Sequence, residues 1–260
     1  MDAVKYLNRI NVHSSLKPDI ESLRLLHRQH LYNVPFENLD IHSGRKIILE
    51  KESLLHKIID EQRGGFCYEL NGAFYELLKS VGFKVKRVAA GVYDEGVEAG
   101  PDFDHMALLV SIDNLDYLAD VGFGDSFIEP LKFTPEEVQK DSADYFKISG
   151  SENDGYYVLL RSSDQEKFVP QYRFTLTPKE LKEFQEMCDY HQTSFHSHFT
   201  QKVVCSKAVE NGRITLSDFK FIVTLNKIKE QKNITGTEFH SYLKSHFNIS
   251  LQKSLNFPTG

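Results

Sequence analysis

The sequence predicts an α+β fold in which a run of helices is followed by an antiparallel sheet and then by a segment that mixes both. Three observations carry this reading. Apolar residues recur at helical spacing through the first 82 residues, the period changes to two from Phe83 to about residue 175, and helical spacing returns at Thr177 before strands resume. The expected divisions are residues 1–82, 83–175 and 176–260, with no repeat at a fixed period.

In the first division, "PDIESLRLLHRQHLY" (18–32) sets Ile20, Leu23, Leu25, Leu26 and Leu31 close to one helical face, with Asp19 suited to the first turn and Pro35 as a stop. "LEKESLLHKIIDEQ" (49–62) predicts a second helix with Leu54, Leu55, Ile58 and Ile59 on one side, ended by Gly64 and Gly65. A third helix is expected from Cys67 to Ser80, with Leu70, Ala73, Phe74, Leu77 and Leu78 inward and Gly82 just past its end. Cys67 therefore falls at a helix N-terminus.

In the second division, "KVKRVAAGVY", "HMALLVSI", "LDYLADVGF", "DYFKISG" and "GYYVLLRSS" alternate as strands separated by polar turns. The third opens with "TPKELKEFQEMCDYH", where Thr177, Pro178 and Glu180 read as N-cap, N1 proline and capping-box acid. Strands "QKVVCSKAV" and "RITLSDFKFIVTL" follow, then a helix "TGTEFHSYLKSHF".

Composition bounds the function. At 260 residues, with 40% apolar and 26% charged residues and no low-complexity tract, the chain can bury a substantial core. A net charge of −6 argues against a nucleic-acid binder, whose affinity rests on clustered Lys and Arg. Lys84, Lys86 and Arg87 form a local basic run that fits either a small anionic cosubstrate or a solvated strand face. The segment "MDAVKYLNRINV" has charges where a signal peptide needs apolar residues, and no stretch approaches 18 apolar residues, so a cytoplasmic protein without a membrane span is expected. Three cysteines, an odd number, read as thiols in a reducing compartment.

Cys67 follows Gly64, Gly65 and Phe66 directly. A helix N-terminus or a neighbouring imidazolium lowers a thiol pKa and supplies the thiolate, the glycine turn would let backbone approach a bound group, and nearby N–H groups could hold an oxyanion. A nucleophilic cysteine also needs a base and a group that orients the base. Of the eleven histidines, His13, His27, His30, His42, His56, His240 and His246 read as structural. His105 instead opens the strand "HMALLV", and 15 residues on, Asp120 places a carboxylate inside the apolar stretch "YLADVGFGD". An odd separation allows both side chains on one sheet face, but a turn at "DNLD" (113–116) would pair Asp120 with Leu109 and leave His105 ~13 Å away along the strand. The residues alone leave two readings open: a Cys67, His105, Asp120 triad, or a core thiol with a satisfied histidine and a turn aspartate. A rival cluster, Cys188, His191, His196 and His198, contains zinc-ligand types but matches no compact zinc spacing, and no metal is expected.

Taken together, "VPFENL" (34–39), "RGGFCYELN" (63–71), "DHMALLV" (104–110), "LADVGFGDSFIEPL" (118–131) and "HQTSFHSHF" (191–199) resemble, in order, segments of the arylamine N-acetyltransferases. The resemblance implies an N-terminal helical bundle, a central antiparallel β-barrel and a C-terminal α/β lid around a cysteine-protease-like Cys-His-Asp core. It also implies Cys67 as nucleophile, His105 as base and Asp120 as orienter. By the same analogy Phe36, Phe123 and Tyr68 shape the acceptor pocket, while Gly122, Gly124 and Phe103 lie on the CoA side. The implied chemistry is ping-pong transfer of an acetyl group from acetyl-CoA to an arylamine, arylhydrazine or N-hydroxyarylamine through an acetyl-cysteine. A cysteine hydrolase or transglutaminase-like enzyme is the alternative use of the same triad.

Overall fold

The computed structural model describes residues 3–94, 98–142, 144–150, 155–251 and 253–257. Its first helices are α1 (Ala3–Arg9) and α2 (Ile20–Asn33). Asp19 is the N-cap of α2, one position outside the expected first turn, and accepts the Ser22 N–H at 2.9 Å. Strand β1 (Phe36–Glu37) and the short α3 (Leu39–Ser43) lead to α4 (Lys51–Leu55).

The second expected helix is shorter than 49–62 and changes character halfway. After α4 it widens into a π-helical turn, His56–Asp60. That turn carries Lys57, whose buried ammonium lies 2.7 Å from Glu69 and 2.9 Å from Asp40. Apolar spacing cannot report this, because the residue that faces inward there is a lysine.

Helix α5 (Cys67–Val81) follows the reading closely, starting at Cys67 and ending against Gly82, which takes the left-handed φ of 101°. Glu69 Oε2 accepts the Phe66 N–H at 3.1 Å and so holds the first turn. Gly64, before it, makes a close approach within the chain. A Cβ on Gly64 would stand 1.9 Å from the carbonyl oxygen of Pro35, so the glycine lets two chain segments touch.

The central strands are β2 (Lys84–Asp94), β3 (Glu98–Ala99), β4 (His105–Ile112), β5 (Leu115–Ala119), β6 (Leu131–Lys132), β7 (Val138–Asp141), β8 (Asp144–Gly150), β9 (Tyr157–Ser162) and β10 (Val169–Phe174). They form one antiparallel sheet in the order β6-β5-β4-β2-β10-β9-β8-β7, with β3 paired to β2. The two end strands meet through a side chain: Gln139 on β7 donates to the Lys132 carbonyl at 2.8 Å and accepts the Lys132 N–H at 2.8 Å. The sheet is thereby a nearly closed barrel, filled by residues such as Leu109, Leu118, Phe146, Ile148, Leu159 and Phe174. The outer side of β4 supplies Met106, Leu108 and Val110 to the core under α5, so both faces of β4 are buried.

The C-terminal part departs most from the pattern reading. The expected cap at Thr177 does not form, because the Lys179 N–H is bonded to the Arg87 carbonyl at 2.9 Å. Helix begins instead with a 3₁₀ turn, Leu181–Phe184, capped at Glu180, and continues as α6 (Gln185–Thr193) and α7 (His198–Gln201). "RITLSDFKFIVTL" is two strands rather than one, β12 (Gly212–Ser217) and β13 (Lys220–Leu225), reversed at Asp218, which has φ 49°. With β11 (Val204–Val209) and the exposed β14 (Ile228–Asn233) they make a sheet whose edge is β1 from the N-terminal segment. Helix α8 (Gly236–Phe247) covers it, capped by Thr235 with Glu238 as the reciprocal acid.

Candidate active site

The β4–β5 hairpin decides whether His105 and Asp120 meet. Its turn is the two-residue step Asp113–Asn114, with φ values of 49° and 63°, so the register is Leu108 opposite Ala119 and Leu109 opposite Leu118. That is two residues away from the pairing expected for a longer turn. Continued one step, it sets Asp120 opposite Ala107, on the same face as His105 and roughly 7 Å along the strand from it. The two side chains span that distance, and His105 Nε2 lies 2.7 Å from Asp120 Oδ2.

With Nε2 engaged by the carboxylate, Nδ1 is the ring nitrogen left to accept a proton. Burial alone would raise the Asp120 pKa. The neighbouring His105, its hydrogen bond, and those from Asn71 and the Gly122 N–H outweigh burial and hold the carboxyl below its ordinary range. Asp120 is therefore an anion placed to stabilise positive charge on His105.

Two residues that sequence reasoning left out complete this arrangement. Asn71, one turn into α5 from Cys67, donates through Nδ2 to Asp120 Oδ1 at 2.8 Å and to the Met106 carbonyl at 2.6 Å, while its Oδ1 accepts the Val121 N–H at 3.0 Å. His27, read as structural, accepts the Asp120 N–H through Nε2 at 3.0 Å and donates from Nδ1 to the Ile128 carbonyl at 2.7 Å. That pair of bonds fixes the neutral tautomer, and burial lowers the His27 pKa to about 4. Asn71 had a signal in the sequence, being a polar residue on the apolar side of a predicted helix. His27 had none, because its partner is 93 residues away.

Cys67 is buried at the floor of a cavity of about 730 Å³ that His105 also lines. Burial opposes the lowering of the thiol pKa that its position at the helix N-terminus favours. Burial pushes it well up; a hydrogen bond from the Met106 backbone works the other way, and the Asp104 and Asp120 charges push it further up. A thiolate there needs a positive partner. Gly122 presses against the same point, since a Cβ on it would stand 2.8 Å from Cys67 Cα and 2.7 Å from Asn71 Nδ2.

Phe36, Phe123 and Gly122 line this cavity, and Phe123 is edge-on to His105 at 5.3 Å. Gly124, at φ 90°, backs onto the Phe36 ring, 3.6 Å from where its Cβ would be. Tyr68 is fully enclosed, because its hydroxyl donates to the Phe103 and Asp104 carbonyls at 2.7 and 3.1 Å and its ring is edge-on to Phe66. Phe103 has φ 69° and packs its ring edge-on against Phe184. The basic run is divided by the sheet: Lys84 is exposed, whereas Arg87 is buried over the Tyr75 ring and paired with Glu76 at 3.1 Å.

His191, His196 and His198, weighed as metal ligands, line the cavity from α6, the turn after it and α7, while Cys188 is buried in the core. Among the described residues no group of three or more His, Cys, Asp and Glu could hold a metal ion. Also among them, no helix is long and apolar enough to cross a membrane.

An N-acetyltransferase family model matches residues 19–256. Arylamine N-acetyltransferase 1 of Homo sapiens is 31% identical over 282 residues, covering 98% of this chain and 96% of that protein. Among solved structures, the arylamine N-acetyltransferase from Salmonella typhimurium superposes with a TM-score of 0.90 at 26% identity, covering 99% of this chain and 94% of that one. The Mycobacterium marinum arylamine N-acetyltransferase in complex with CoA gives a TM-score of 0.86 at 25% identity, covering 95% and 93%.

Proposed function

Because the chain belongs to the arylamine N-acetyltransferase family, we propose that it moves an acetyl group from acetyl-CoA to an aromatic amine, hydrazine or N-hydroxyamine by way of Cys67. The observation that carries this reading is the pairing of His105 with Asp120 at 2.7 Å beside the cavity that ends on Cys67. A CoA complex of a relative with the same fold supports the choice of donor.

In the first half-reaction the Cys67 thiol gives its proton to His105 Nδ1, and Asp120 stabilises the imidazolium. The ion pair supplies the thiolate that burial opposes. The sulfur attacks the thioester carbonyl, and the tetrahedral intermediate collapses by breaking the bond to the CoA sulfur. That sulfur leaves with the proton held on His105, and Cys67 carries the acetyl group.

In the second half-reaction the amine nitrogen attacks the acetyl-cysteine carbonyl as His105 takes its proton. The carbon–sulfur bond then breaks, releasing the acetylated amine and returning the proton to Cys67. Phe36 and Phe123 serve as aromatic walls for the acceptor ring. Gly122 and Gly124 keep the loop beside Cys67 thin enough for the CoA chain to pass, and Phe103 is assigned to the same side. Tyr68 acts by positioning the backbone before His105 rather than by touching the acceptor. The divisions 1–82, 83–175 and 176–260 then correspond to the nucleophile-bearing helices, the barrel with base and orienter, and the lid, in a cytoplasmic enzyme.

Membership of the family decides against the hydrolase or transglutaminase-like alternative. Intact-mass measurement after mixing with acetyl-CoA tests the reading. One acetyl group is expected on the wild type and none on Cys67→Ala; a wild type that stays unmodified while its thiol is titratable would overturn the proposal.

A further inference from the structure

Asp104, the residue before His105, lines the same cavity as Cys67. Oδ2 of its carboxylate accepts the Val92 N–H at 3.2 Å, and Oδ1 lies 3.0 Å from His191 Nε2, within ion-pair distance but without the alignment of a hydrogen bond. His191 is in turn held through Nδ1, 3.0 Å from the Ser197 hydroxyl, and its ring stands edge-on to Phe199 at 5.2 Å. The lid segment thus carries a second histidine–aspartate pair into the cavity, separate from His105 and Asp120.

A carboxylate has about four acceptor positions, and the Val92 N–H uses one of them. The Asp104 side chain keeps 17% of its surface exposed, so it can still accept a hydrogen bond from a bound molecule. A second carboxylate, Glu98 on β3, also lines the cavity, and no Lys or Arg does among the described residues. His105 is already committed to a carboxylate, and His191 Nε2 stands 3.0 Å from one. An anionic acceptor would leave water for a space that offers it a fixed like charge and no lysine or arginine partner.

Resting on the acetyl-transfer reading above, we infer that Asp104, anchored by the Val92 N–H, selects acceptors by charge. The cavity takes aromatic amines and hydrazines that are neutral or cationic and can donate a hydrogen bond to Asp104. It turns away those that carry a carboxylate.

The test compares 4-aminobenzoate with the similarly shaped 4-aminobenzamide at saturating acetyl-CoA and pH 8, above the ordinary imidazole range. The wild type should favour the amide in kcat/KM by about tenfold. In Asp104→Asn the ratio should approach unity, chiefly because the benzoate gains. His191→Gln leaves both the charge and the Val92 hydrogen bond in place and should keep the preference for the amide. A wild type that favours the benzoate overturns the inference, as does Asp104→Asn with an unchanged ratio. If Asp104→Asn does not fold, the wild-type ratio and its narrowing in Glu98→Gln decide the matter. Intact mass is read in every sample: a wild type that takes up acetyl but fails these comparisons sinks the charge selection alone. A wild type that takes up none sinks the transferase reading and this inference with it.

Discussion

Asn71 and Asp120 are joined across the contact between α5 and the end of β5 by a hydrogen bond of 2.8 Å. Both side chains are buried, and Asn71 uses its remaining amide capacity on the Met106 carbonyl and the Val121 N–H. One side chain therefore links the helix that begins with Cys67 to both strands of the hairpin that brings His105 and Asp120 together. A register error between helix and hairpin would break all three bonds at once.

Asn71→Ala should consequently lose both stability and activity. Removing the amide leaves a buried carboxylate short of a donor and buried backbone groups without partners, a loss of about 3 kcal/mol. Acetylation of Cys67 should slow by about a hundredfold, because the base is no longer oriented. Asn71→Asp should be worse, since it sets a second anion against Asp120. Urea unfolding and single-turnover CoA release measure the two effects; a variant that loses stability but acetylates at the wild-type rate would remove Asn71 from the positioning of the triad.

Much of this site was legible before the fold. Cys67 could be placed at a helix start because Leu70, Phe74 and Leu77 keep helical spacing, even though α5 is buried all round from Cys67 to Phe74. The His105–Asp120 contact was legible only as parity, since its distance depends on whether Asp113 and Asn114 make the turn alone, and strand alternation does not fix turn length. The balance at the thiol was not legible for a physical reason: a helix N-terminus favours a lowered pKa, burial opposes it, and burial is a property of the assembled core. His27 was read only as structural, His191 only as a rejected metal ligand, and Asp104 was given no role, because their partners come from distant elements and a single sequence carries no record of such pairings.

Histidine burial makes stability depend on pH in a defined window. His27 is fully enclosed, and its pKa falls from 6.5 to about 4, chiefly through burial. His30, also buried, is lowered well below 6.5 for the same leading reason. The unfolded chain then binds protons that the folded chain does not, so the stability is fully present above pH 6.5 and is lost as pH falls toward 4. His27 alone contributes a slope of about 1.4 kcal/mol per pH unit there. His27→Gln, which can still accept the Asp120 N–H, should be less stable than wild type at pH 8 but show a shallower decline below pH 6.5. Denaturant unfolding at pH 8, 6.5 and 5 reads the slope, and an equal decline in both proteins would rule His27 out as its source.

Gly122 tests how closely the loop after Asp120 must approach the nucleophile. Its φ is not in the left-handed region, so the backbone would accept alanine; the obstacle is contact. The added Cβ would stand 2.8 Å from Cys67 Cα, 2.9 Å from the Cys67 carbonyl oxygen and 2.7 Å from the Asn71 amide nitrogen. Two of those atoms are backbone at the start of α5, and the third is the donor that holds Asp120, so none can yield without moving the triad. Gly122→Ala should cost about 1–3 kcal/mol, as overpacking does. Its effect on Cys67 acetylation should be larger than that loss of stability, because a displacement of about 1 Å at a reacting centre can slow reaction by about a hundredfold. Gly236→Ala is the control, since the nearest atom to its added Cβ is 3.9 Å away on Phe219. If Gly122→Ala keeps wild-type acetylation while Gly236→Ala does too, the loop is free to retreat and the contact with Cys67 has no part in placing the thiol.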